Sequence, residues 1–221
     1  MSETSNGGRA SDWPRVYDAC VDATVALAES LTDEQLARPV PATPLWSVRD
    51  LLGHAAGVAG DVVARRMDGA PAPSWTARHV EERAGRTVAD LVEELRSTQA
   101  EVAASTAGSE RPAIVWDRSV HLADLHEALG LGVPAESTWR PVLDSAAAWR
   151  LAELPVTIRC GQESFGAGGP EVEVSPYELF RTLFSRRSRA QIRAWAGPVP
   201  SDEQLDDVPV FGPREDDQPR P

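Results

Sequence analysis

Three ionisable residues share one face of the segment AIVWDRSVHLADLHEAL. Asp117, His121 and Asp124 stand there at spacings i, i+4 and i+7. On a helix advancing by about 100° per residue they fall within an arc of roughly 60°. Ile114, Val120 and Leu125 flank that arc, so the three polar groups lie on a stripe that should face a core. Burying a carboxylate costs on the order of several kcal/mol unless it is paired or bound to a metal. A divalent metal is an economical compensation, because side chains at i and i+4 point the same way from one helix and can share an ion. Asp117 and His121 are then two ligands, and His54, inside a second helical segment, is the best third. His126 lies on the opposite face with Arg118 and Ser119, a face read as solvent-exposed, and His79 falls in PAPSWTARHVEERAG, read as a loop. Two imidazoles and one carboxylate leave coordination positions open, as in catalytic rather than structural sites. Zinc is the first choice; non-haem iron accepts the same donors. Asp124 is either a fourth ligand or a support. The competing reading is a buried Asp–His hydrogen-bond pair with no metal.

Other chemistry is thinner. The 22 basic residues are all arginine, so no lysine is present to form a Schiff base or a P-loop. Cys20 and Cys160 belong to no CxxC, and Cys20 sits on the core side of its helix, where packing is its expected role. GAGG at 166–169 precedes a strand rather than a helix, so it is no dinucleotide loop. Arg186, Arg187, Arg189 and Arg193 crowd one segment near the end of the chain. They either favour the negative end of a helix dipole or clamp a substrate carboxylate.

These residues need elements to hold them. The spacing of Trp13, Val16, Cys20, Thr24 and Leu27 predicts a helix over about 12–30. Ser47 and Asp50 form a capping box that opens a second helix, running to about Met67, whose Gly53, Gly57 and Gly60 let a neighbour come close. Thr87 and Asp90 open a third, and the fourth runs from about Pro112 to Leu129, stopped by Gly130. Four helices in this length suggest a bundle. After a linker at about Leu131–Thr138, PVTIRC and EVEVS read as two strands joined by the turn GQESFGAGG. Ser175–Pro176–Tyr177–Glu178 then opens one long helix, PYELFRTLFSRRSRAQIRAW. The expected organisation is a disordered leader (1–10), a four-helix bundle (11–130), a small α+β domain (139–201) and a disordered acidic tail (202–221).

The net charge of −12 argues against nucleic acid and anionic membranes as partners. Seven acidic residues and two arginines in the tail supply a large part of it. No segment reads as a signal peptide or a membrane span, so a cytoplasmic location is expected.

Taken in order, three segments resemble the mycothiol-dependent maleylpyruvate isomerase family of the DinB-like metalloprotein superfamily. Thr43–Pro44–Leu45–Trp46–Ser47–Val48–Arg49–Asp50 through His54 is similar to the family's TP…W-[ST]-V-R-D-L-x-x-H segment. Trp116–Asp117 through His121 and Asp124 to Ala128–Leu129–Gly130 is similar to its metal-binding helix. Glu178–Leu179–Phe180–Arg181 through Arg186–Arg187–Ser188 is similar to its C-terminal ELxRxLxGRRS helix, with Ser185 in place of glycine. The resemblance implies a DinB-like four-helix bundle followed by a small α+β domain. It implies a divalent metal, usually zinc, on His54, Asp117 and His121, with Asp117 standing where the family often has Glu. It further implies mycothiol as a thiol cosubstrate acting on a small electrophilic substrate, by isomerisation or by S-transfer. Arg187 is then the candidate catalytic residue, holding an acidic substrate. The alternatives are a thiol-independent metal enzyme of a biosynthetic pathway and a non-catalytic metal-binding or regulatory bundle.

Overall fold

A computed structural model describes residues 12–198 and 201–221; the leader expected at 1–10 lies outside them. Helix α1 (Trp13–Ser30) starts where Asp12 accepts a hydrogen bond from the Arg15 amide, and α2 (Asp33–Leu36) is one turn capped by Thr32. Strands β1 (Pro39–Val40) and β2 (Thr43–Ser47) pair antiparallel and deliver the chain to α3 (Val48–Ala64). Both halves of the Ser47–Asp50 capping box are formed. Helix α4 (Pro73–Arg83) follows, then α5 (Val88–Ser105), whose Thr87–Asp90 box is also formed, and α6 (Ala113–Leu129), ended by Gly130 in the left-handed conformation. Helix α7 is Glu136–Arg150. The rest comprises β3 (Thr157–Cys160), β4 (Glu163–Phe165), β5 (Glu171–Glu173), α8 (Pro176–Leu183), α9 (Arg189–Arg193) and α10 (Asp202–Asp206).

The molecule is mostly helical, with its three-stranded sheet in the C-terminal part. The four long helices close a ring in which α1 and α3 each pack on both α5 and α6. Tyr17, Cys20, Leu51, Ala56, Leu95, Val115 and Ala123 fill its centre. Helix α7 lies against α1, α6 and α8. No helix among the described residues is long and apolar enough to cross a membrane.

Several expectations need correction. The segment holding His79 is a helix, α4, and not a loop. It buries Trp75, His79 and Arg83, at i, i+4 and i+8. That stripe is regular, but two of its members are polar, so a count of apolar residues passes over it. Glycines of α3 let α4 approach: a Cβ on Gly57 would lie 2.5 Å from His79 Cβ. Helix α7 occupies the second half of the expected linker and continues to Arg150. In the sheet, the antiparallel partner of β3 is β4, inside the segment read as a turn, while β5 runs parallel to β3 on its other side. The long C-terminal helix is broken. Ser185 has φ 60, turning the chain between α8 and α9, and Ser188 caps α9 afresh with Gln191.

The acidic tail is also placed. Leu205 and Val208 are buried, the Val210 amide donates to the Leu183 carbonyl, and Gln218 and Gln191 exchange side-chain to backbone hydrogen bonds. Arg214 donates to the Ala42 carbonyl at 3.1 Å. Proline and aspartate composition suggested a segment with too little apolar surface to fold. The body supplies the partners that the segment lacks.

Candidate metal centre

Helix α3 carries His54 and α6 carries Asp117 and His121, and the packing of α3 on α6 brings the three together. Asp117 Oδ1 lies 3.3 Å from His121 Nε2 and 3.6 Å from His54 Nε2, and all three donor atoms fall within 4.8 Å of one another. A tetrahedral ion with bonds near 2.1 Å separates its ligands by about 3.4 Å. Asp117 Oδ2 is buried and has no hydrogen-bond partner among the described residues. A buried carboxylate oxygen without a hydrogen-bond partner beside two imidazole nitrogens fits a divalent cation. The donor set, two nitrogens and one carboxylate, is that of catalytic divalent metal sites.

Charge supports the same reading. Burial pushes the His54 imidazole down to about 4, so its Nε2 lone pair is available at neutral pH. Burial alone would raise the Asp117 carboxyl, but the His121 and His54 imidazoles hold it well below the usual range. Burial would likewise lower His121, yet Asp117 and Asp124 outweigh it and raise the ring above its ordinary value. The Asp117 side chain remains 27% exposed, which leaves one side of the cluster open. Trp46, from the strand that leads into α3, tilts over the cluster with its ring 4.8 Å from that of His54 and 6.4 Å from that of His121.

Each imidazole is held from behind. Asp124 Oδ2 lies 2.9 Å from His121 Nδ1, on the side of the ring turned away from Asp117. That contact places Asp124 behind the ring, outside the group of three converging donor atoms, where a carboxylate can orient an imidazole. Asp124 is fully buried, and its carboxyl is kept low against burial by Arg186 and Arg181. His54 Nδ1 faces His79 Nδ1 at 3.2 Å, and His79 Nε2 lies 3.0 Å from Asp61 Oδ2. Asp61 also binds Arg78 and Arg66.

The arginine expectations change. Arg187 is fully buried, and its guanidinium donates to Glu178 and Glu127 at 2.7 and 2.9 Å and to the Arg186 carbonyl. Its donors are committed within the fold, so it is no free clamp for a substrate. Arg189 pairs with Asp206 and Glu215, and Arg193 with Asp202. Arg186 reaches Asp124 at 2.9 Å, which puts it one residue behind His121. Arg118, expected in solvent, is buried and donates to the Ala55 carbonyl on α3 at 2.6 Å; Ser119 is buried too. Neither shows in an apolar count, because the helix is surrounded and its polar residues tie it to neighbours. The sequence pattern assigns no role to His79, Asp61, Arg181 or Glu127 at this site. The i, i+4 spacing of Trp75 and His79 was the available signal for α4.

The cysteines are consistent with packing. Burial pushes Cys20 up to about 12 and Cys160 up to about 11, so neither is a thiolate at neutral pH.

Residues 17–129 match the model of the mycothiol maleylpyruvate isomerase N-terminal domain family. The structure is similar to the crystal structure of the mycothiol-dependent maleylpyruvate isomerase, with a TM-score of 0.53 and 12% sequence identity. The likeness covers 94% of this chain and 95% of that one, and at this identity it speaks for the fold. No curated protein sequence matches the chain.

Proposed function

The chain belongs to the mycothiol maleylpyruvate isomerase N-terminal domain family, and from that premise we propose that it is a divalent-metal enzyme, with a DinB-like bundle, that uses mycothiol to isomerise maleylpyruvate or a similarly activated unsaturated acid. The observation that carries the reading is the convergence of His54, Asp117 and His121, with a buried unpartnered carboxylate oxygen and one open side. When bound, the metal, zinc by preference, supplies the positive charge that lowers a thiol pKa toward neutrality.

The chain's own residues do the rest. His54 presents a neutral nitrogen, His121 would give up its proton to ligate, and Asp117 offsets part of the positive charge. Asp124 and His79 keep the two rings turned inward. Trp46 walls the cluster on one side and excludes water from it. The cosubstrate thiolate adds to one carbon of the conjugated double bond, and the electron pair moves onto the adjacent carbonyl. Rotation about the resulting single bond and expulsion of the same thiolate return the double bond in the other geometry. The thiol is regenerated, so atoms and electrons balance without an oxidant. S-transfer would need the adduct to be protonated and released instead.

Asp124 behind His121, and not on the ion, favours this reading over a closed metal-binding module. Two measurements test it: metal content of protein purified without chelator, and maleylpyruvate isomerisation with and without mycothiol. About one metal per chain and thiol-dependent turnover are expected. A metal-free protein from metal-replete cells refutes the metal assignment, and metal without thiol-dependent turnover refutes the reaction.

A further inference from the structure

The α3–α4 contact is unusual in chemistry. Helix α4 is joined to α3 by a buried histidine, and α3 makes room for that histidine with a glycine. His79 and Asp61 are both fully buried. A Cβ on Gly57 would lie 2.5 Å from His79 Cγ and 2.7 Å from its Cδ2, so a side chain at 57 and His79 in its place exclude each other. The ring is thereby pressed onto His54, with centroids 5.2 Å apart, and Trp75 packs edge-on against it at 4.2 Å.

The hydrogen bonds have one consistent assignment. The ionised Asp61 carboxylate can only accept, so His79 Nε2 carries a proton and donates to it. A neutral His79 then has a lone pair on Nδ1, and the nitrogen facing it, His54 Nδ1, must donate. His54 is left with its lone pair on Nε2, the nitrogen aimed at Asp117.

We infer that His79, anchored by Asp61 and seated by Gly57, is a positioning residue that fixes the tautomer and ring angle of His54 for metal binding. It does for His54 what Asp124 does for His121, with an imidazole interposed before the carboxylate. The inference rests on the proposed metal site. Outer partners of this kind change metal affinity by roughly 10- to 100-fold on removal.

The test compares zinc affinity, by competition with a chromophoric chelator, and the visible spectrum of the cobalt(II) form, in the parent, His79→Leu, His79→Asn and Gly57→Ala. Asn keeps an acceptor oxygen where His79 Nδ1 lies; Leu keeps only volume. Gly57→Ala keeps His79 but displaces it. Thermal melts establish that each variant is folded. The expected result is zinc binding weakened about 10- to 100-fold in His79→Leu and in Gly57→Ala, with altered cobalt absorption. His79→Asn should remain within a few-fold of the parent. Parental affinity in His79→Leu overturns the inference while leaving the metal site standing. So does a loss in His79→Asn as large as that in His79→Leu. A parent that binds neither zinc nor cobalt overturns the metal reading and this inference together.

Discussion

Asp124→Asn separates the two tasks that one buried carboxylate performs. The substitution keeps shape and an acceptor oxygen, but it removes the charge shared by His121, Arg181 and Arg186. Breaking a buried ion pair by removing one partner costs about 3–5 kcal/mol. Here the lower end applies, because Arg181 keeps Glu127 and Arg186 is 11% exposed and can reach water. For a chain of this length each kcal/mol shifts Tm by roughly 2–4 °C, so a loss of about 6–12 °C is expected at pH 7. Against burial, Arg186 and Arg181 hold the Asp124 carboxyl in the folded protein well below the usual carboxylate range. Its contribution is therefore present above the unfolded value and lost as the pH falls toward the folded one. The assay is Tm against pH for the parent and the variant, with zinc affinity measured in parallel. The gap should narrow on acidification from about pH 5 to pH 3, and zinc binding should weaken by about 10-fold. A gap under about 2 °C at pH 7, or one that does not narrow in acid, refutes the assignment of Asp124 as a charged tie.

Further outcomes follow from the same geometry. His54→Ala and His121→Ala should each lose the metal while remaining folded, whereas Asp117→Glu should retain it with altered turnover, as read by elemental analysis and kinetics. Metal affinity should fall as the pH drops through the raised pKa of His121, since a protonated ring cannot ligate; zinc titrations at several pH values check this. Cys20→Ala with Cys160→Ala should keep thiol-dependent turnover, and both thiols should resist alkylation in the native protein. Arg187→Ala should destabilise the fold by about 3 kcal/mol, leaving Glu127 and Glu178 short of a partner, and so lower Tm; a specific loss of substrate affinity at unchanged Tm would restore the clamp that the structure removes.

The helices with apolar stripes and capping boxes were legible in the sequence, because Ser47–Asp50 and Thr87–Asp90 announce their starts chemically and Gly130 its stop. So were the three converging donors, since Asp117 and His121 stand out against the apolar arc around them. Helix α4 was not, because its buried stripe is Trp75, His79 and Arg83 and its burial depends on partners from α3 and α5. Arg118 was misplaced for a related reason: a helix enclosed on every side buries its polar face too. The break at Ser185 is signalled only by the Ser188–Gln191 capping pair that restarts the helix, and the left-handed serine itself is set by the contacts that follow it. The carbonyl of Gly212, which accepts from the Ser185 hydroxyl, is one of them.

The ion network behind His121 also bears on how portable the parts of this protein are. Asp124 and Glu127 come from α6, inside or near the end of the matched family region, while Arg181, Arg186 and Arg187 come from beyond it. With Glu178 the two sets of charges cancel, and they cancel only when both are present. A helical bundle cut after α6 would leave Asp124 and Glu127 without their arginines, and a foreign C-terminal part grafted on would bury them again without a matching set of cations. Exchange between relatives is therefore restricted to parts that carry a matching set, and the last two turns of α6 must travel with the α8–α9 corner. The C-terminal segment can diversify its outer surface freely, but the arginines that reach the seam are tied to α6.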